Sequence, residues 1–444
     1  MPTPPPAWHP TVDRLDVVQL NAVGDNNPAS AGWNDVAFQR AFDIVGRTGG
    51  AVHVPPGKYH INRMLTMPPG VQLIGEGGGE GGPSPSPIGS HLIFHGGPGP
   101  CIRLGTDMIA YGAHDNTISN LSIQGALDAG GMPVAGTLIQ ILGAGNRVTI
   151  WNCLLQHSAR WGVEALGNTP ASGIESLRVQ DCHIYACLEG GIRVMKGVAY
   201  IGQVVCNNGY LTAKVGRPIG KGIWSDDASV MHVINADSLA WEQALLFTSA
   251  RPIAKDQGLF STVEASSFDS SGYGVMIGDP TGSPVHDVQI SDCWMGSCSY
   301  GIVVQNADGV QIEGCEVVNN GGYGIDLRAP LARNITVSNN TIVGNNTSQQ
   351  NLYGIVLEDG IDYIIIQGNR IGEVSGNWRG TQWGGLGVFG SPCTNVVVAN
   401  NIIATEQLGN PALAFVTNGG CGNGLRRVNT GNTVNGVPFG ASTF

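Results

Sequence analysis

The chain has 444 residues, and its 22 Lys and Arg against 33 Asp and Glu give a formal net charge of −11. That balance argues against a nucleic-acid partner, which would need a basic face. No run approaches the roughly 18 apolar residues of a membrane-spanning helix, so no membrane partner is expected, and Met1-Pro2-Thr3-Pro4-Pro5-Pro6 has neither the basic nor the apolar part of a secretory signal.

Taken in order, residues 1–14 form a Pro-rich N-terminal extension. Leu15 to Asp25 then reads as a strand running into a turn. A helix follows, capped by Asn34 or Asp35, with an apolar face of Phe38, Ala41, Phe42 and Val45 and a stop at Gly46 or the Gly49-Gly50 pair. Ala51 to Ile61 and Val71 to Gly77 are strand-like, and Glu76 to Ser90, rich in Gly and Ser-Pro, is a loop.

From here a short phrase repeats: apolar, polar, polar, Cys or Asn, any, apolar. Val179-Gln180-Asp181-Cys182-His183-Ile184 is one instance, and Ile150 to Leu155, Ile290 to Met295, Ile312 to Val317 and Val337 to Ile342 are others. With Asn208, Asp237 and Ser266 as weaker members, its fourth residue traces a column. The column reads Cys153, Cys182, Asn208, Asp237, Ser266, Cys293, Cys315, Asn340, Asn369, Asn401, Asn432, with gaps from 22 (Cys293 to Cys315) to 32 residues (Asn369 to Asn401). A drifting period in the twenties marks a solenoid whose turns carry loops of different length.

A second phrase keeps pace, a Gly followed by an alternating strand: Gly162-Val163, Gly191-Ile192, Gly222-Ile223, Gly274-Val275, Gly301-Ile302, Gly324-Ile325 and Gly354-Ile355. Two short strands per repeat without helical periodicity imply an all-β fold, a single-stranded right-handed parallel β-helix of about 11 to 12 coils with a short N-terminal capping helix. The helix would plug the apolar bore and unpaired edges of the first coil. The expected parts are residues 1–14, a cap with first coils over 15–77, a β-helix body over 78–435 and a tail over 436–444. The ten cysteines include no C-x-x-C pair, and the column members read as reduced packing residues, not as metal ligands. The Asn residues from 340 to 432 read as a buried amide ladder. Loops at 209–221, 252–258, 344–352 and 372–384 are the insertions expected to border a site.

The run of strand, Asn21-Ala22-Val23-Gly24-Asp25-Asn26-Asn27, helix 34–45, the 49–61 segment and Val71 to Gly77 resembles the opening of the pectate-lyase superfamily, in the form shared by phage tailspikes and bacterial polysaccharide-degrading proteins. The resemblance implies carbohydrate processing and, as in such spikes, a homotrimer.

Aligning the second phrase by its glycine puts Glu164, Arg193, Trp224, Met276, Val303, Asp326 and Val356 in one outward row, and Leu166, Met195, Asp226, Gly278, Gln305, Arg328 and Glu358 in the next. Glu164, Arg193, Trp224 and Asp226 therefore share an outer face. Residues 147–255 hold 10 of the 22 Lys and Arg and four of the nine Trp. Aromatic faces stack on sugar rings, and fixed charges orient hydroxyls and carboxylates.

A glycosidase needs two carboxyl groups roughly 5 to 10 Å apart. Glu164 and Asp226, two strands or about 10 Å apart, fit an acid and base, with Asp227 replacing Asp226 if the register slips. Arg193, Trp224, Trp161, Lys196, Glu189 and Arg251 are the expected substrate-binding residues, and Glu189 and Asp256 are the reserve acids. No cofactor or metal is expected for a hydrolase. A lyase would use Arg193, Lys196 or Lys221 as base, with calcium held by clustered acids.

Plainer readings stand beside these. Glu164 with Arg193 is equally an ordinary cross-strand ion pair, and Asp226-Asp227 equally a turn. His157, His183 and His232 read as structural or solvated, Asp326 and Glu358 as isolated surface charges. The polygalacturonase pattern of Asp-Asp followed by Gly-His-Gly and Arg-x-Lys is incomplete here, and the Asp-Pro-His motif of alginate epimerases is absent. The leading expectation is hydrolysis of a glycan; the alternatives are a lyase or epimerase and a non-catalytic glycan-binding spike.

Overall fold

The computed structural model describes residues 13–77, 89–105, 113–143, 146–167, 174–227, 230–249, 260–348, 350, 352–358, 361–372, 382, 384–389, 393–404, 415–418, 428–434 and 437–438. Strands dominate it, and they wind into a right-handed parallel β-helix. Each coil contributes three short strands rather than two, as in Ile174–Gln180, His183–Tyr185 and Gly190–Met195, and each pairs with its equivalent one coil on. The sheet containing His183–Tyr185 has fifteen strands, of which the last, Val437–Pro438, is antiparallel, leaving fourteen parallel coils among the described residues. The excess over the expected number comes from the coils at Gly57–Ile61, Ser90–Phe94 and Ser122–Gly125, which precede the first Cys of the column.

The corner before that column explains its sequence. The preceding residue is left-handed in coil after coil, with φ between 48° and 58° at Asn152, Asp181, Gln203, Asn235, Ala265, Asp292, Asn339 and Asn400. Asn, Asp and Gly tolerate this conformation best, which accounts for the polar third residue of the phrase and for Gly314, Gly368 and Gly431 at the same place. The next residue turns into the bore. Cys153, Cys182, Cys293 and Cys315 are buried there, their thiols near backbone carbonyls, as Cys182 Sγ is to Gln180 O at 3.1 Å. Asn340, Asn369, Asn401 and Asn432 continue the column as a ladder in which each side-chain nitrogen donates to the next amide oxygen at 2.9 to 3.0 Å.

Two weak members of the column were misplaced. Val204 and Ala236, both buried, occupy it, and their carbonyls accept from the following coils as the other members' do. Asp237 is exposed one residue further on. Asn208 sits at the next corner, where it precedes the short helix Gly209–Val215 and donates to Ile219 O at 2.9 Å. An apolar Val and Ala fill the bore as well as Cys does, so no polar marker identified those coils.

The first coils are closed by the helix Ala31–Val45, which buries Phe38, Ala41, Phe42 and Val45 as expected and ends at Gly46. Asn34 and Asp35 do not cap it. They lie in its first turns and pin it to the strands: Asn34 pairs with Val23 through both amide atoms and donates to His60 O, while Asp35 accepts from Asn62 N and Arg63 N. The N-terminal strand is short, Arg14–Asp16, and passes into a 3-10 turn at Val17–Leu20. Among the described residues no helix is long and apolar enough to cross a membrane.

Candidate functional site

Five consecutive strands of one sheet, Ile102–Leu104, Ile139–Leu142, Trp161–Leu166, Gly190–Met195 and Lys221–Asp226, stack in register. Alternation sends Ile139, Val163, Ala165, Ile192 and Val194 into the bore, each fully buried. The outward positions line up as Arg103, Gln140, Glu164, Arg193 and Trp224, with Leu166, Met195 and Asp226 in the adjoining row. The rows expected for Glu164, Arg193, Trp224 and Asp226 are the observed ones.

These side chains form one connected line. Arg103 Nε donates to Gln140 Oε1 at 3.2 Å, and Gln140 Nε2 to Glu164 Oε2 at 2.9 Å. Arg193 Nη1 donates to Glu164 Oε1 at 3.2 Å, while its Nε and Nη2 reach Asp226 Oδ2 at 3.1 and 2.7 Å. Trp224 Nε1 donates to Thr248 Oγ1 at 2.8 Å, and Thr248 Oγ1 to Asp226 Oδ1 at 3.3 Å. One guanidinium thus ties together the two carboxylates assigned as acid and base.

Glu164 is on the outer side of the strand yet only 1% exposed. Gln140 and Arg193 engage its two oxygens, and Arg160 Nη2 lies 4.0 Å from Oε1. Trp161 is also buried, its ring 5.8 Å from that of Trp224, so it backs the second indole rather than offering an open stacking face. Trp224 is half-buried, with Arg193 Cζ 4.6 Å and Lys221 Nζ 4.7 Å from its ring centre. Such cation–π contacts hold both cations against the indole.

The remaining assigned residues are partly gathered. Lys196 Nζ pairs with Asp227 Oδ2 at 3.6 Å, both residues being left-handed at their corners, so Asp227 turns away from Asp226 toward the lysine. Glu189 is exposed at the rim, where both its oxygens lie 3.3 Å from Arg160 Nε. Arg251 and the reserve acid Asp256 fall outside the described residues. Among the described residues, no group of three or more His, Cys, Asp and Glu is placed to hold a metal ion.

Sequence reasoning missed Arg103, Gln140 and Thr248. The first two stand in strands preceded by Cys101 and Leu138 rather than Gly, so an alignment by glycine passed over them; the alternation Ile102-Arg103-Leu104 and Ile139-Gln140-Ile141 was the available signal. Asp326 was misread. It lies in the same outward row as Glu164, but it is fully buried rather than an isolated surface charge.

The chain is a right-handed parallel β-helix protein. A family model described as "Right handed beta helix region" matches residues 273–441. Among solved structures, the mannuronan C-5 epimerase AlgE6 A-module of Azotobacter vinelandii is 14% identical with a TM-score of 0.56, over 94% of this chain and 98% of that one. Gene product 12 of bacteriophage phi29, in its pre-mature form, is 15% identical with a TM-score of 0.66, over 96% of this chain and 57% of that one. The tailspike protein of Escherichia coli bacteriophage HK620, solved in complex with a hexasaccharide, is 12% identical with a TM-score of 0.64, over 96% and 78%. No curated protein matches by sequence.

Proposed function

We propose that this protein binds a polysaccharide along the face that carries Glu164, Arg193, Trp224 and Asp226, and cleaves its glycosidic bonds by acid–base hydrolysis. The observation that carries the reading is the Arg193 bridge: two carboxylates on strands two apart share one guanidinium beside an indole, which holds their facing oxygens within about 8 Å of each other, inside the spacing of an inverting pair. When a sugar oxygen takes the Nη1–H of Arg193, Glu164 enters the step in its protonated form and gives that proton to the leaving oxygen as the glycosidic bond breaks. Asp226, the more exposed of the two, receives the proton of the attacking water. The HK620 tailspike, which shares the fold, is a protein solved with a bound hexasaccharide.

A second reading, an epimerase or lyase, is favoured by the cations. Arg103, Arg160, Arg193, Lys196 and Lys221 surround Glu164, Glu189, Asp226 and Asp227, a balance that admits the carboxylate of a uronic acid. Mannuronan is the polymer named for the AlgE6 module. Side-by-side association of three chains, as in tailspikes, is proposed with either reading, and sedimentation equilibrium would test it.

The test is incubation with a panel of bacterial surface polysaccharides and mannuronan. New reducing ends without ultraviolet absorbance mean hydrolysis, absorbance of a new double bond means a lyase, and altered sugar composition at constant length means an epimerase. Full activity in both Glu164→Gln and Asp226→Asn would sink the assignment of these residues, and binding without turnover would leave a glycan-binding spike.

A further inference from the structure

The outward row does not end at Trp224. It continues through Leu246, Met276, Val303, Asp326 and Val356, six strand steps or about 29 Å from Glu164 to Asp326. Asp326 is fully buried, and so are its row neighbours Val303 and Val356. Its Oδ2 accepts from Arg328 Nε, but Oδ1 has no hydrogen-bond partner among the described residues. A buried carboxyl oxygen without a partner is costly, and apolar residues occupy this position one coil before and one coil after it.

What surrounds it is polar and aromatic. Tyr273, Tyr300 and Tyr323 stand on successive coils, each half-buried. Tyr273 and Tyr300 stack face to face at 5.4 Å with 13° between their planes, and Tyr300 and Tyr323 are 6.3 Å apart. Tyr273 and Tyr300 thus cover a face of each other while Tyr323 is tilted by 50° to Tyr300, and each ring brings one hydroxyl to the row, one per coil. Arg328 folds across Asp326 onto this row, its Cζ 5.1 Å from the Tyr300 centre. Asp326 interacts with Arg328 and Tyr323 of its own coil and with Glu358 of the next; Arg328 is paired in register with Gln305 and interacts with Tyr300 of the preceding coil, and Tyr323 interacts with Tyr353 of the next. Burial, with the Glu358 charge adding to it and Arg328 opposing, pushes the Asp326 carboxyl up to about 7.

We propose that Asp326, Arg328 and Glu358, with the Tyr273–Tyr300–Tyr323 row, form a second carbohydrate site for a neutral sugar, floored by Asp326 Oδ1. The proposal rests on the reading that this face takes a polysaccharide. The sugar class follows from charge: with Asp326 protonated Glu358 and Arg328 balance, and with it ionised the cluster is net negative, so neither state offers a uronic acid a surplus cation, whereas the first site sets five cations against four acids. The partly exposed Arg328 is the side chain to displace. It leaves most readily when Asp326 is protonated and the ion pair is lost, and the protonated Oδ1 then donates to a sugar oxygen. The two sites lie on one row parallel to the helix axis, so a single glycan chain would run across both.

The test is calorimetric titration of the full chain with maltohexaose, cellohexaose and chitohexaose at pH 5.5 and 8.5, with hexameric mannuronate as the acidic contrast. At least one neutral hexamer should bind, about tenfold more tightly at the lower pH. Asp326→Asn should bind equally at both values, and Tyr300→Phe, which keeps the stacked ring but removes a hydroxyl, should weaken binding several-fold. If Trp224→Ala abolishes binding while Asp326→Asn and Tyr300→Phe change neither affinity nor its pH dependence, the second site is overturned and the glycan-binding face stands. If no hexamer binds at either pH, both are overturned.

Discussion

Arg193 reaches a single oxygen of Asp226 through two of its nitrogens, Nε at 3.1 Å and Nη2 at 2.7 Å, leaving Nη1 for Glu164. Only the guanidinium fork can serve both carboxylates at once. Arg193→Met leaves Glu164 buried with Gln140 as its remaining strong partner and should cost about 3 to 5 kcal/mol. Arg193→Lys should fall between it and the native chain, and adding Glu164→Gln to Arg193→Met should recover much of the loss. Urea unfolding followed by tryptophan fluorescence and far-ultraviolet circular dichroism measures the effect.

Asp326 ties stability to pH with a definite sign. Its carboxyl titrates near 7 when folded, against 3.8 for the ordinary group. The folded chain therefore holds the proton longer than the unfolded one, and stability falls as pH rises from about 4 to about 7. Asp326→Asn should remove this slope and be the more stable protein at pH 8, by up to roughly 4 kcal/mol at about 1.4 kcal/mol per pH unit. Melting temperatures of both proteins across pH 4 to 8 decide it.

His157 acts in the opposite direction. Burial lowers its imidazole to about 4 from 6.5, so its contribution is intact above the unfolded value and is lost as pH falls through the window between them. The ring is held among Tyr185 and Tyr210, and the backbone is left-handed with φ of 62°. Asn suits that conformation, so His157→Asn should fold and should flatten the acid side of the stability profile. Because Asp326 slopes the other way over part of the range, the quantity to measure is the difference between variant and native chain at each pH.

The amide ladder should be sensitive at its rungs and tolerant at its corners. Asn369 accepts from both the backbone and side-chain nitrogens of Asn340 and donates to Val337 O and Asn401 Oδ1. Asn369→Ala strips these buried partners and should cost roughly 2 to 4 kcal/mol. Asn400, at the left-handed corner with φ of 57°, can become Gly at a cost within about 1 kcal/mol. Paired urea melts of the two variants compare them.

Much of the fold was legible because its constraints are local. The corner before Cys182 requires a left-handed residue and the next position requires a small bore filler, and both demands recur from the corner at Asn120 to that at Gly431 regardless of what the loops do. Coils in which Val204 or Ala236 met the second demand carried no polar marker and slipped in alignment. The site was legible only as a register. That Glu164 and Trp224 share a row follows from counting, but the burial of Glu164 depends on Gln140 and Arg160, and that of Asp326 on Val303, Val356 and Arg328, groups brought together by stacking. The third strand of each coil went unseen for the same reason: at three residues, segments such as His183–Tyr185 are too short to show an alternation of their own.

Stacking at a fixed interval makes the body of this molecule a graduated rod. The interval between Glu164 and Asp326 can change only in whole increments of about 4.8 Å, since inserting or excising one coil moves every later row by that amount and leaves the lateral alignment untouched. A lengthened or shortened chain would thus be a vernier for its ligand, with the favoured number of sugar units between the two clusters shifting in step with the number of coils.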